Sequence, residues 1–320
     1  MQLRHGDPCR SEALFRRGER IWVLQTWARL RDAGCAVELV GEVPRGAEVL
    51  VFHTKHRRLV ARAWRRLRGT LLVSVRADGR EAAIADVEIV QNGRFADGRR
   101  RFFIPHWPQP GMLPRDPSRG AEVRSVAFRG LSRHLHPEFR SPAWASWLAD
   151  RGIEWSSTEH DWNPATIDRL SLDWHDYRHV DVVLALRPPD PNGHRSKPAS
   201  KLVNAWTAGC PAVLGEEYAY RELRRTALDY LEAANPAAAR SCIQLLCSSP
   251  ALYEDMVANG RSRARDFTVP VITAKWAELL YERLPRLASR GRAGRSQAWL
   301  RPAVWAAHAV GRLACGRPTR

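Results

Sequence analysis

Residues 197–217 read KPASKLVNAWTAGCPAVLGEE. Two lysines and a serine crowd the start of an apolar stretch of helical length. Gly209 is placed to stop that helix, and Pro211 opens a second apolar run. The preceding VDVVLAL (180–186) reads as a buried strand, so the order is strand, loop, helix, strand. A helix returned between two apolar strands implies an α/β unit with a parallel sheet. Open α/β sheets bind ligands beyond the carboxyl ends of their strands. A helix N-terminus there offers unpaired N–H groups and the positive end of its dipole to an anion. Ser200 is placed to cap the helix. Lys197 and Lys201 add point charges suited to phosphate, and Arg187 and Arg195 flank them. The corner admits two readings: a seat for a diphosphate, or a solvated, capped helix start with ordinary surface lysines.

The same alternation runs outward in both directions. Ile21, Val23, Leu24, Trp27 and Leu30 have nearly helical spacing over 19–33, and Gly34 is placed to end that helix. CAVELV (35–40), AEVLVFH (47–53), TLLVSV (70–75), VEIVQ (87–91) and RFFIPHW (101–107) are predicted strands. RRLVARAWRRLRG (57–69) is a predicted basic helix. HWPQPGMLPRDPSRG (106–120) holds four prolines and two glycines, which marks a linker. Beyond it VRSVAF (123–128), 180–186 and 211–215 are predicted strands. Helices are predicted at 141–152, 200–208, 235–249, 250–260 and 270–281. The expected organisation is a first α/β domain over 1–107, a linker over 108–121, a second α/β domain over 122–268, and a C-terminal helix with a basic tail over 269–320. The first strand that such a domain needs is poorly written in residues 1–15.

Composition limits the function classes. The length of 320 residues suits two domains, and 44% hydrophobic content with 13 Trp argues against disorder. The net charge of +17 favours polyanions, whether nucleic acid, an acidic membrane surface or a phosphorylated ligand. GC-rich coding DNA is the plain alternative source of so much Arg. The six Cys lack CxxC spacing, which argues against a zinc site or a disulfide framework and for reduced thiols. With no signal-like or membrane-spanning run, the expected place is the cytoplasm, free or resting on a membrane. No helix-turn-helix, zinc finger or aromatic RNA-binding sheet is visible, so no nucleic-acid partner is expected.

KLVNAWTAGCPAVLGEEYAYREL (201–223) resembles the donor-binding segment of the retaining GT-B glycosyltransferases of the group 1 type. Ala205, Gly209, Pro211, Val213, Glu222 and Leu223 fit that family's pattern. Residues 227–268 and, more weakly, RRGERIWVLQTWARLRDAGCAVELV, AEVLVFHTKH, ADVEIVQN and FFIPHWPQPG are similar to it as well. The chain departs from the pattern at the paired glutamates, which in this register fall on Ser196 and Asn204. It departs again where the family often has a catalytic-loop His, here Arg76-Ala77-Asp78.

The resemblance implies two Rossmann-like domains facing across a cleft, a nucleotide-diphosphate sugar donor, and a glycan or lipid-linked acceptor. It implies no cofactor and no metal, since basic side chains and helix dipoles offset the leaving diphosphate. The chain has no Asp-x-Asp metal clamp. By the same resemblance Arg129, Gly130, Lys197, Ser200 and Lys201 face the diphosphate, with Arg133 a further candidate. Asn204 faces the ribose. Glu216 and Glu217 end the strand before 216; they either touch the sugar or begin the next helix, where acids suit the dipole.

On the acceptor side, His53 and His56 end a strand, and either is placed to meet the acceptor or donate to the transferred sugar. Asp78 is a candidate base toward an acceptor hydroxyl, or a turn residue in RADGR. Arg76 stands beside it, and Gly18 lets the backbone approach a ligand or simply makes a turn. His175, Asp176 and His179 match no firm metal spacing. The tail from 286, with Trp299 and Trp305, suits anionic lipid or is merely Arg-rich. The rival to sugar transfer is an inactive relative that binds a nucleotide sugar or glycan.

Overall fold

The computed structural model describes residues 17–157, 163, 172–190 and 194–290. The expected first strand in 1–15 and the part of the basic tail beyond 290 lie outside the described residues. The described chain divides into two compact units. Unit one runs over His106–Val269; unit two is Arg17–Pro105 with the stretch 270–290.

Unit two is built on β1 (Val49–His53), β2 (Leu71–Val75), β3 (Val87–Val90) and β4 (Arg101–Phe103), parallel and in that order. β2 is buried at every position, as a strand covered on both faces must be. α1 (Gln25–Asp32) follows a π-helical turn, and α2 (Arg57–Arg62) sends Val60 into a core with Phe52, Leu72 and Ile84. α8 (Val269–Ala277), a second π-helical turn and α9 (Leu284–Arg290) complete the unit. Tyr281 donates a hydrogen bond to the Ala36 carbonyl at 3.1 Å. Two expectations are corrected. Residues 35–40 form no strand: Val37 N–H bonds back to the Cys35 carbonyl, and Glu38, Leu39 and Val40 are exposed. The helix expected over 57–69 ends at Arg62. Continuing it would stack Arg62, Arg65 and Arg66 as like-charged neighbours three and four positions apart.

Unit one holds β5 (Ser125–Phe128), β6 (Glu154–Ser157), β7 (Val182–Ala185), β8 (Ala212–Leu214) and β9 (Leu231–Glu232), all parallel. The order is β6-β5-β7-β8-β9, so the winding reverses between β5 and β7. Such a switch point is where doubly wound sheets take ligands. α3 (Pro142–Ala149), α4 (Ser200–Ala208), α5 (Tyr218–Leu223), α6 (Pro236–Ser248) and α7 (Pro250–Ala264) cover the sheet. β7 and β8 are fully buried. α4 ends on Gly209 at φ 75°, a left-handed turn that glycine adopts without Cβ strain, and the chain drops into β8. Trp206 is buried beneath α4 and donates to the Asp229 carbonyl at 2.9 Å.

The proline-rich stretch before β5 is hydrogen-bonded along unit one. Arg115 and Arg119 both bond the buried Asp181 carboxylate, at 2.8 Å and 2.6 Å in their shortest contacts. Arg124 N–H and the Ser125 hydroxyl bond it as well. Tyr253 from α7 donates to the Asp181 carbonyl at 2.8 Å. Two charged donors on one buried acid hold this strap where an unpaired carboxylate would be costly. Residues around Trp174 and Tyr177 form a turn with a single bridge between Leu113 and Asp176. No described helix is long and apolar enough to cross a membrane.

Candidate functional site

In unit one the chain leaves β5, β7 and β8 at their carboxyl ends through Arg129-Gly130, Arg187 and Gly215-Glu216-Glu217. Lys201, in the first turn of α4, extends over the first of these. Its Nζ lies 5.7 Å from the Phe128 ring centre. A Cβ on Gly130 would sit 3.0 Å from that Nζ, so the lysine occupies space that only glycine leaves. No described residue accepts a hydrogen bond from the Lys201 ammonium. Burial, reinforced by the Arg187 charge and opposed by Glu217, pulls its pKa down to about 7.

Arg187 and Glu217 form a buried ion pair at 2.9 Å. The Arg187 guanidinium also meets the Tyr220 hydroxyl, and Nε and Nη1 are bent away from ideal hydrogen-bond geometry with the Glu217 carboxylate. The pair therefore keeps donor and acceptor capacity out of water, which is costly until something uses it. Tyr220 is buried alongside; its pKa is raised by burial and by the Glu217 charge. His134 is the deepest indicator of the local field. Burial first, then the charges of Arg187, Lys197, Arg133 and Lys201, lower its pKa to about 3. Arg133 Nε donates to His134 Nε2 at 3.4 Å.

The other sequence candidates are placed as follows. Ser200 is the first residue of α4, and the cap position belongs to Ala199, which makes no side-chain cap bond. The expected serine cap is therefore corrected. Lys197 follows a turn in which its N–H bonds the His194 carbonyl at 2.9 Å. Arg129 is turned onto its own unit, donating to the Asp176 carbonyl at 3.1 Å and to Ser156 Oγ at 2.8 Å. Asn204 is buried and accepts from Gln109 N–H at 3.3 Å. Glu216 is exposed and pairs with Arg221 at 2.7 Å, which also bonds Glu232. The structure thus sets Lys201 against Gly130 and Glu217 against Arg187, and leaves Glu216 on the surface. Arg187 stood out in the sequence only as a flanking charge. His134 carried no signal at all, since the two His of RGLSRHLH have no diagnostic spacing.

In unit two, His53 ends β1 and accepts a hydrogen bond at Nδ1 from Lys55 N–H at 3.1 Å. A neutral ring with that acceptor carries its proton on Nε2. Nε2 is buried without a partner and lies 3.7 Å from where a Gly18 Cβ would be. Burial, with His56 and Lys55 adding to it against Glu19 and Asp78, lowers the His53 pKa to about 4. His53 is therefore a neutral N–H donor at physiological pH. His56 is exposed. Arg76 follows β2 and pairs at 3.5 Å with Glu88 of β3, a buried acid missed in the sequence because it sits mid-strand. Burial raises the Glu88 pKa, with Arg76 opposing. Asp78 follows Ala77, whose φ of 51° makes a tight turn after β2. Among the described residues no group of His, Cys, Asp or Glu is arranged to hold a metal ion.

No family profile matches the sequence, and no curated protein does. Solved structures do resemble it. TarM matches with a TM-score of 0.53 at 9% identity, over 81% of this chain and 58% of that one. The pneumococcal O-GlcNAc transferase GtfA, solved with UDP and GlcNAc, matches with a TM-score of 0.52 at 12% identity, over 81% of this chain and 60% of that one. Sucrose-phosphate synthase from Thermosynechococcus elongatus matches at 0.50 and 13% identity, over 75% and 74%. The chain spans less than two thirds of TarM and of GtfA. The fold is the GT-B fold.

Proposed function

We propose that the protein transfers a sugar from a nucleotide-diphosphate sugar to a glycan or lipid-linked acceptor, with basic side chains rather than a metal offsetting the diphosphate. The observation that carries this reading is the Lys201 ammonium, held against Gly130 at the carboxyl end of β5 with no hydrogen-bond acceptor among the described residues, with the buried Arg187–Glu217 pair at the ends of β7 and β8. An ammonium without a hydrogen-bond acceptor and a desolvated guanidinium at the switch point of a doubly wound sheet suit an anionic ligand. Lys201 and Lys197 hold the diphosphate over Gly130. Arg187 presents its unused N–H groups and Glu217 its unused oxygens, the latter suited to sugar hydroxyls. The C1–O bond to the diphosphate breaks, its electron pair stays on the diphosphate, and the acceptor oxygen bonds to C1 while losing its proton. In unit two, His53, with its Nε2–H donor, and Asp78, as a base, are the candidates for acceptor-side roles. GtfA, with the same fold, was solved with UDP, which supports a nucleotide donor here.

The second reading is a non-catalytic binder of a nucleotide sugar or glycan. What favours it is Asn204: it brings no charge, and its amide oxygen is already engaged by the Gln109 backbone. Incubating the protein with a panel of nucleotide sugars and following nucleoside-diphosphate release separates the two. Release with one donor supports transfer. Measurable binding with no release under any acceptor favours the binder, and no binding of any nucleotide sugar contradicts both.

A further inference from the structure

Lys201 and Arg187 of unit one are largely shielded from water, but the densest run of cations lies elsewhere. Between Glu48 and Asp78 there is no acidic residue, and Arg57, Arg58, Arg62, Arg65, Arg66 and Arg68 fall within that span. Val60 and Leu67 are buried at 3% and 1%, which pins α2 and the turns after it against the sheet. The opposite side then faces water: Arg58, Arg62, Arg65, Arg66 and Arg68 are all exposed. None of these five pairs with an acid among the described residues. Arg65 and Arg68 instead flank the half-buried Trp64, their guanidinium carbons 5.5 Å and 5.3 Å from its ring centre. In their midst Leu59 is 54% exposed, more than any other large apolar side chain described.

A leucine held out in water among unpaired arginines gains nothing within the folded chain. It gains on a surface that is anionic outside and apolar beneath. We infer that residues 57–68 form a docking surface for an anionic lipid bilayer, with the arginines on the headgroups and Leu59, backed by Trp64, entering the boundary below them. Charge alone would equally attract nucleic acid; the exposed Leu59 is what favours lipid, because no phosphodiester backbone rewards burying an isobutyl group. The segment begins four residues after His53, so a docked α2 brings the end of β1 close to the bilayer surface. That suits a lipid-linked acceptor, although the docking surface stands without the sugar-transfer reading.

The test is flotation of the full chain with vesicles of phosphatidylcholine alone and of equal parts phosphatidylcholine and phosphatidylglycerol. The wild type is expected to float with the anionic vesicles only. The double variant Arg58→Ala, Arg62→Ala should lower partitioning roughly twenty-five-fold, at about a fivefold loss per arginine near an anionic surface. Leu59→Ser should lower it about fivefold, consistent with partial burial of one leucine, at an unchanged melting temperature. Two results overturn the inference. One is wild-type partitioning by both variants, which assigns any binding to another surface such as the Arg-rich stretch beyond 290. The other is a silent Leu59→Ser beside a weakened arginine variant whose lost binding duplex DNA also competes away, which makes the patch a general polyanion surface.

Discussion

The carboxyl ends of β5 and β7 hold Lys201 and Arg187 largely out of water, whereas α2 and the turns after it hold their arginines in it. In unit one, Lys201 rests on an aromatic ring without an acceptor, and Arg187 shares a buried pair that leaves several polar atoms unused. In unit two, Arg58, Arg62, Arg65, Arg66 and Arg68 are exposed and mutually repelling. The two arrangements store their charge differently. A desolvated cation without a partner is costly, and the first small anion to arrive relieves that cost, so a few side chains suffice for a tight, specific seat. A hydrated cation costs little and gains little per contact, so only an extended anion meeting many of them is held. Net charge alone does not separate these uses; burial does.

Five substitutions or conditions would break or sharpen that contrast. The largest effect is expected from Lys201→Met, which should weaken nucleoside-diphosphate binding roughly a hundredfold, the order of one charge-assisted bond of about 2–3 kcal/mol. The folded state should be no less stable, since an unpartnered charge is removed; calorimetry and thermal melts read the two. If the proposed transfer is correct, His53→Ala should lower turnover about a hundredfold, the scale of one donor to developing charge, while leaving nucleotide affinity in unit one unchanged. Gly130→Ala should cost about tenfold in affinity and about 1–3 kcal/mol in stability, because the new methyl displaces the Lys201 amine.

The pH dependence should be smaller and has a definite sign. With its pKa near 7, Lys201 loses its proton as pH rises through neutrality, so affinity for a diphosphate should fall over that range. Lys201→Arg should flatten the profile. Above about 7 the unfolded chain, with an ordinary lysine, binds more protons than the native one, so stability should rise with pH toward 10.5. The smallest effect is a control. Tyr253→Phe removes the bond to the Asp181 carbonyl and should cost about 1 kcal/mol of stability with no change in nucleotide binding.

Much of the architecture was legible because buried parallel strands announce themselves. VVLA is an unbroken apolar run and LLVSV is interrupted only by Ser74, and both are buried throughout. Gly209 and Pro211 correctly divided α4 from β8. The failures have physical causes. CAVELV has the composition of a strand, yet its side chains are largely exposed and its backbone bonds locally, so no neighbour completes it. Ser200 has the right chemistry for a cap but sits one residue inside the helix. Of the candidate site, the lysines were legible because charge at a strand-loop-helix corner is a local pattern. The Arg187–Glu217 pair was not, because it joins residues from the ends of two different strands, and His134 was not, because its meaning lies in the charges around it.

The central claim is that the corner around Lys201 is a diphosphate seat, and comparing a nucleoside, its monophosphate and its diphosphate by calorimetric titration tests it most directly. The diphosphate should bind at least about tenfold tighter than the monophosphate, consistent with one further charge-assisted contact, and that increment should vanish in Lys201→Met. Equal affinities for all three, or an increment that survives the substitution, would contradict it.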